Sequence, residues 1–262
     1  MKILYTLGIM IVSATIAMAS CVVKGNTVES VCTAHVEDTV GGRHDAALAN
    51  AISSGDVATP TYCVEGRLDM SAPAASQSET VTWTHFPNDV AELREAQRQI
   101  GNTLGGAVAL QLMAFEIYRH DRREGEEAIR LVNYKSNVQS VLSVISQRYS
   151  RSEHSPEEDL YVQPYIVASF LKGATTANRY TPDEPYSITV YWDASRQVEE
   201  ASPYVGGGHL CRVHVMNANY GTPKRSVQVI KTTPEACFLI QNSPSLYTQC
   251  PPISGRWTYV MK

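Results

Sequence analysis

The chain has 262 residues, a formal net charge of −4, 44% hydrophobic residues and 18% charged ones. That apolar share excludes a disordered chain. Charges of both signs with a small net balance exclude a strongly basic nucleic-acid binder and a polybasic membrane-surface protein.

Residues 1–19 read as a secretory leader. Lys2 supplies the positive end, an apolar run follows, and Ala17-Met18-Ala19 offers the small-x-small cleavage pattern. The run is too short, and too soon followed by that site, for a membrane anchor. Met18-Ala19-Ser20-Cys21 also resembles a bacterial lipobox, with Met where Leu is usual and Ser where Gly or Ala is commoner. The expected location is therefore secreted or periplasmic, with a lipid anchor through Cys21 as the alternative.

The chain carries six cysteines: Cys21, Cys32, Cys63, Cys211, Cys237 and Cys250. An even number in an exported chain predicts disulfides. Three precede the long helical stretch and three follow it. Full pairing therefore requires a bridge between the two ends and makes residues 20–262 one domain.

Residues 20–87 read as short elements. Residues 43–54 form a short helix closed by Gly55. Residues 61–69 and 79–85 form strands, the second alternating Thr80, Thr82 and Thr84 with Val81, Trp83 and His85.

Residues 88–173 are the helical part. Val90, Leu93, Ala96 and Ile100 recur three and four residues apart, and Asn88 suits the N-cap. The helix is expected to run on to Tyr118, with Gly101, Gly105 and Ala109 making a face of little bulk. In a membrane that face reads as a dimerisation surface. The apolar run from Leu104 to Tyr118 includes Gln111 and Glu116 and falls short of the roughly 20 apolar residues a spanning helix needs. A buried helix fits better. Residues 119–127 read as a charged turn. A second helix places Leu131, Tyr134, Val138, Val141 and Ile145 on one seam, so the two long helices are expected to form an antiparallel hairpin. Ser155-Pro156-Glu157-Glu158 opens a further helix that Lys172-Gly173 ends and Pro164 kinks.

In residues 181–262 the period changes to two. Strands are expected at 186–193, 209–217, 226–232, 236–241 and 256–261, forming an antiparallel sheet of about four or five strands. The fold class is α+β: a central helical hairpin packed with a C-terminal antiparallel sheet, disulfide-bonded.

No catalytic signature stands out. His209, Cys211 and His214 have the residue types of a zinc site, but strand alternation points His214 away from the other two, so no metal is expected. Gly206-Gly207-Gly208 reads as a flexible connection. His44-Asp45, Cys63 and His120 suggest a hydrolase only if one of them meets a carboxylate in a pocket. No Gly-x-Ser-x-Gly elbow is present. No cofactor is expected. Arg122-Arg123 and Lys224-Arg225 read as chance dibasic pairs.

Tyrosine is over-used: 14 Tyr against 4 Phe and 3 Trp. Tyr186, Tyr191, Tyr204, Tyr220 and Tyr247 lie in the strand-rich part, where an apolar ring with a wet hydroxyl suits a contact surface. The expected function is an exported, disulfide-stabilised binding protein without catalytic activity. Its expected partner is a protein or a glycan outside the cytoplasm, with no role for nucleic acid. Two alternatives belong to other classes: a secreted toxin or effector acting on membranes through residues 101–118, and a secreted hydrolase with an unfamiliar site.

Overall fold

A computed structural model of the chain describes residues 62–68, 77–149, 163–192, 209–217, 224–233, 235–247 and 250–253. The leader, Cys21, Cys32, the helix expected at 43–54 with His44 and Asp45, the strand expected at 256–261, Tyr204 and Tyr220 lie outside these residues.

Two strands, β1 (Tyr62–Gly66) and β2 (Gln77–Trp83), precede four helices. These are α1 (Val90–Ile100), α2 (Leu104–His120), α3 (Arg122–Val132) and α4 (Lys135–Arg148). Four strands follow: β3 (Tyr186–Trp192), β4 (His209–Met216), β5 (Lys224–Lys231) and β6 (Leu239–Asn242). The class is α+β. All six strands form one antiparallel sheet in chain order, β1-β2-β3-β4-β5-β6. The sheet is thus larger than expected, because β1 and β2 pair onto β3 instead of standing apart from the C-terminal strands.

The helix expected from 89 to 118 is two helices. Periodicity misses the break because Ile100 and Leu104 continue the four-residue spacing across it. The break is set by Thr103, whose Oγ1 accepts from Gly106 N at 2.9 Å and caps α2. At the far end of α2 the expected charged turn shrinks to one residue. Asp121 closes α2 and caps α3, its carboxylate accepting from Arg123 N at 2.8 Å and Glu124 N at 3.1 Å. Gly125 makes this tight corner possible, since a Cβ there would collide with the Tyr118 backbone. The second expected helix also breaks, at Asn133. Tyr134 N donates to Ile240 O at 2.8 Å, so the chain leaves the helix to meet β6. Between residues 163 and 174 the expected helix gives way to turns and one short 3-10 turn, Ala168–Phe170. Pro164 removes a donor where a continuous helix would need one.

The core lies between one face of the sheet and α2. Every residue of α2 from Leu104 to Tyr118 is buried. Gly105 near its start lies beside Glu79 and Val81 of β2, while Phe115 near its end meets Tyr247, beyond β6, with ring centroids 6.2 Å apart. The helix therefore crosses the strands instead of running along them. It draws Val81, Ile188, Val213, Val229 and Ile240 into one hydrophobic cluster. The small-residue face of the helix meets a strand, which explains why it needs no bulk at Gly105. No helix among the described residues is long and apolar enough to cross a membrane.

Candidate functional site

Register assigns each strand residue to a face, since directly opposed residues point the same way. Opposing Val81 to Ile188 and Trp83 to Tyr186 puts these four on the core side. The alternate residues of β2 and β3 then form the outer side, and there Ser78 opposes Tyr191, Thr80 opposes Thr189 and Thr82 opposes Ser187. All six carry a hydroxyl. Thr80 Oγ1 and Thr189 Oγ1 are hydrogen-bonded at 2.9 Å. Ser78 is exposed; Thr80, Thr82, Thr189 and Tyr191 are half-buried; Ser187 is buried. Side chains along each strand are about 7 Å apart on this face, and the strands lie about 4.8 Å apart, as in any pleated sheet. The first row continues across the sheet, with Tyr191 opposite His214 and His214 opposite Ser226. The result is a strip of hydroxyls on β2 and β3, with Glu65 of β1 opposite Thr80 on one side and His214 of β4 opposite Tyr191 on the other. The hydroxyls can offer hydrogen bonds in both directions.

Residues 85–254 match the family model described as a domain of unknown function, DUF6935. The chain belongs to the DUF6935 family. No curated protein matches the chain, and no solved structure matches it. The DUF6935 match starts just after β2, so it contains the β3 column of hydroxyls but not the β2 column.

The tyrosines divide. Tyr191 lies on the strip. Tyr186 is 1% exposed and packs with Trp83 and Phe86, its centroid 6.2 and 5.1 Å from theirs. Tyr247 is also buried, and burial raises its phenol pKa. Tyr186 and Tyr247 are thus core residues and not contact tyrosines: the residue two positions from Tyr186 on the same face is Ile188, at the heart of the core.

The cysteines also divide. Cys63 and Cys237 are disulfide-bonded. Cys211 and Cys250 are buried and stand outside any disulfide, which corrects the expectation that all six pair.

Around Cys250 lies a dense polar network. Gln163 Oε1 accepts from Cys250 N at 2.9 Å and from its thiol at 3.6 Å, and Gln163 Nε2 donates to Cys250 O at 2.8 Å. Tyr180 OH donates to Pro251 O at 2.7 Å, and Arg148 Nε donates to Tyr247 O at 2.9 Å. Burial pushes the Cys250 thiol up to about 11, the opposite of what a nucleophile needs. These contacts pin the C-terminal segment to the turns at 163–180.

His120 does meet a carboxylate. Glu116 Oε1 is 3.2 Å from His120 Nε2 and accepts from Arg119 Nε at 2.9 Å and Nη2 at 2.8 Å. Both partners come from the same helix face three and four residues on, so the cluster neutralises a fully buried carboxylate at the end of α2. His214 points to the outer face and Cys211 to the core, as alternation requires. Among the described residues no group of His, Cys, Asp or Glu is placed to hold a metal.

Two features lay beyond sequence reasoning. Glu79 is buried; its Oε2 accepts from Gly105 N at 2.6 Å and its Oε1 from Leu68 N at 3.0 Å. It satisfies an orphan amide of α2 from 26 residues away. Desolvation raises its pKa against the lowering effect of those two amides. The Thr80–Thr189 pair was equally hidden. The alternation at Thr80 and Thr82 is visible in sequence, but nothing in β3 announces Thr189 and Tyr191 as its partners.

Proposed function

We propose that this chain is an exported, disulfide-bonded binding protein without catalytic activity. It meets a protein or glycan outside the cytoplasm through the outer face of β2 and β3. The reading rests on one observation: Ser78, Thr80, Thr82, Ser187, Thr189 and Tyr191 stand in register on the sheet side turned from the helices. A leader at 1–19 and the bonded state of Cys63 and Cys237 support export to an oxidising compartment. In this reading α2 and α3, joined at Asp121, act as a helical hairpin that stiffens the sheet from behind. A rigid scaffold of that kind suits a site whose recognition depends on fixed spacing.

The test pairs the parent protein with the double variant Thr80→Lys, Thr189→Lys in binding assays against arrays of extracellular proteins and glycans. Both positions are half-buried on the outer face, so the variant is expected to keep its melting transition and lose its partner. A partner retained at full affinity by the folded variant would move the contact elsewhere. Turnover by the parent of any peptide, ester, glycan or nucleotide substrate would end the non-catalytic reading.

A further inference from the structure

Resting on the proposed export alone, and not on the outer face, we infer that Cys21 and Cys32 are the disulfide partners of Cys63 and Cys237, and that Cys21 is a bridging cysteine and not a lipid anchor. Cys63 and Cys237 are both disulfide-bonded, while Cys211 and Cys250 stand outside any disulfide. Cys63 and Cys237 cannot bridge each other. Cys63 is on β1, at one edge of the sheet, and Cys237 stands two residues before β6, at the other. Five strand spacings of about 4.8 Å separate those edges, roughly 24 Å along the sheet. A disulfide needs Cα atoms within about 7 Å. The two side chains also leave on opposite sides. Tyr62 and Val64 pack against the core cluster, so Cys63 between them points outward. Cys237 lies on the helix side: its Sγ is 3.9 Å from Gln97 O, and its Cβ is 3.3 Å from where a Cβ at Gly101 would stand.

The chain has six cysteines, and once these four are assigned only Cys21 and Cys32 remain. Two bonded cysteines that cannot meet need two partners, so both are taken. The spacing allows it. The eleven residue steps from Cys21 to Cys32 reach at most roughly 40 Å, more than the breadth of the sheet, so one short segment can serve both edges in either order. The same count decides the fate of Cys21. A lipid would occupy its sulfur in a thioether and leave Cys32 alone to partner two bonded cysteines. Each bridge forms from two thiols that give up two electrons and two protons. A protein disulfide of the thiol–disulfide oxidoreductase class, in the export compartment, takes them and becomes a dithiol. The bond to Cys237 closes a loop of about 200 residues that contains all six described strands, and long closed loops constrain the unfolded chain most.

The experiment maps the bridges by mass spectrometry. The full chain is exported from a bacterial host through its own leader, alkylated on harvest and digested without reduction. Trypsin separates Cys21, Cys32, Cys63 and Cys211 by cutting after Lys24, Arg43, Arg67 and Arg212, and chymotrypsin separates Cys237 from Cys250 by cutting after Phe238 and Tyr247. The expected result is the Cys21 peptide joined to that of Cys63 or Cys237, the Cys32 peptide joined to the other, and alkylated Cys211 and Cys250. Cys21→Ser should then release one further thiol, at Cys63 or Cys237, and leave Cys32 bonded. A bridge from Cys63 to Cys237 or from Cys21 to Cys32, a bridge to a second copy of the chain, or a diacylglyceryl group on Cys21 would overturn the inference and leave export standing. So would alkylation of any of Cys21, Cys32, Cys63 and Cys237 in the exported parent. Six alkylated thiols in a chain retained inside the cell would overturn the inference and the proposed export together.

Discussion

Gly105 is the point where the central helix touches the sheet most closely. A Cβ built there would lie 3.0 Å from Glu79 Oε2, 3.1 Å from Glu79 Cβ and 3.1 Å from Val81 Cγ2. None of these neighbours gives way freely. Glu79 is tied through both carboxylate oxygens, and β2 is paired on both sides, to β1 and β3. The start of α2 must therefore move. Overpacking of this kind costs about 1–3 kcal/mol. Moving the helix also stretches the 2.6 Å bond from Gly105 N to Glu79, and a hydrogen bond to a charged group contributes about 1.5–3 kcal/mol. Against this stands the higher helix propensity of alanine, at most about 1 kcal/mol and less in a first turn. Gly105→Ala should thus destabilise the protein by about 1–3 kcal/mol, and Gly105→Leu by more. Urea unfolding followed by circular dichroism measures both. A midpoint for Gly105→Ala at or above that of the parent would refute the close contact between α2 and β2, and with it the account of why a glycine stands there.

Three further predictions concern buried polar groups. Because the folded pKa of Glu79 is raised above its unfolded value, its contribution to stability is complete below the ordinary value of 4.5 and is lost as pH rises through the folded pKa. Glu79→Gln should remove that part of the pH dependence and leave one of two amides without an acceptor, at a cost of about 1–3 kcal/mol; equal slopes of unfolding free energy against pH in parent and variant would contradict this. Gln111 is fully buried, and neither amide atom has a hydrogen-bond partner among the described residues, so Gln111→Leu should raise stability by about 1–3 kcal/mol in the same denaturant assay. Thiol titration of the unfolded, unreduced protein should find Cys211 and Cys250 reactive, and mass spectrometry of the labelled peptides should leave Cys63 and Cys237 unmodified; protection of Cys211 or Cys250 would show a bridge where none is assigned.

Local signals carried much of the fold. The α+β class, the strand positions that fall among the described residues and the buried character of residues 104–118 follow from periodicity, because a period of two and a period near 3.6 bury different residues. The helix breaks at Asn102 and Asn133 did not follow, for a physical reason: Ile100 to Leu104, and Tyr134 to Val138, keep the helical spacing across or beside the break. A stripe records which side is buried and is blind to a kink that preserves that side. Long-range partners were beyond reach as well. Glu79 reads as a polar residue in a strand until α2 places an orphan amide above it. The tyrosine argument failed at Tyr186 and Tyr247 because composition does not assign a face; only the register of β3 against β2 separates Tyr186, in the core, from Tyr191, on the outer strip. The expected cysteine pairing went by parity, which cannot tell a bridged cysteine from a buried thiol held in a polar network such as Cys250.

The antiparallel pair β1–β2 has a practical meaning for anyone cutting this chain. A fragment matching the DUF6935 segment, 85–254, begins after Trp83 and so omits two of the six described strands. It would leave β3 as a raw edge, remove Val81 from beneath α2, and take Trp83 away from Phe86 and Tyr186. Exposed strand edges recruit other chains. The borders of the family match and the borders of an autonomous folding unit are therefore different lines in this molecule, and a soluble fragment must start upstream of Tyr62.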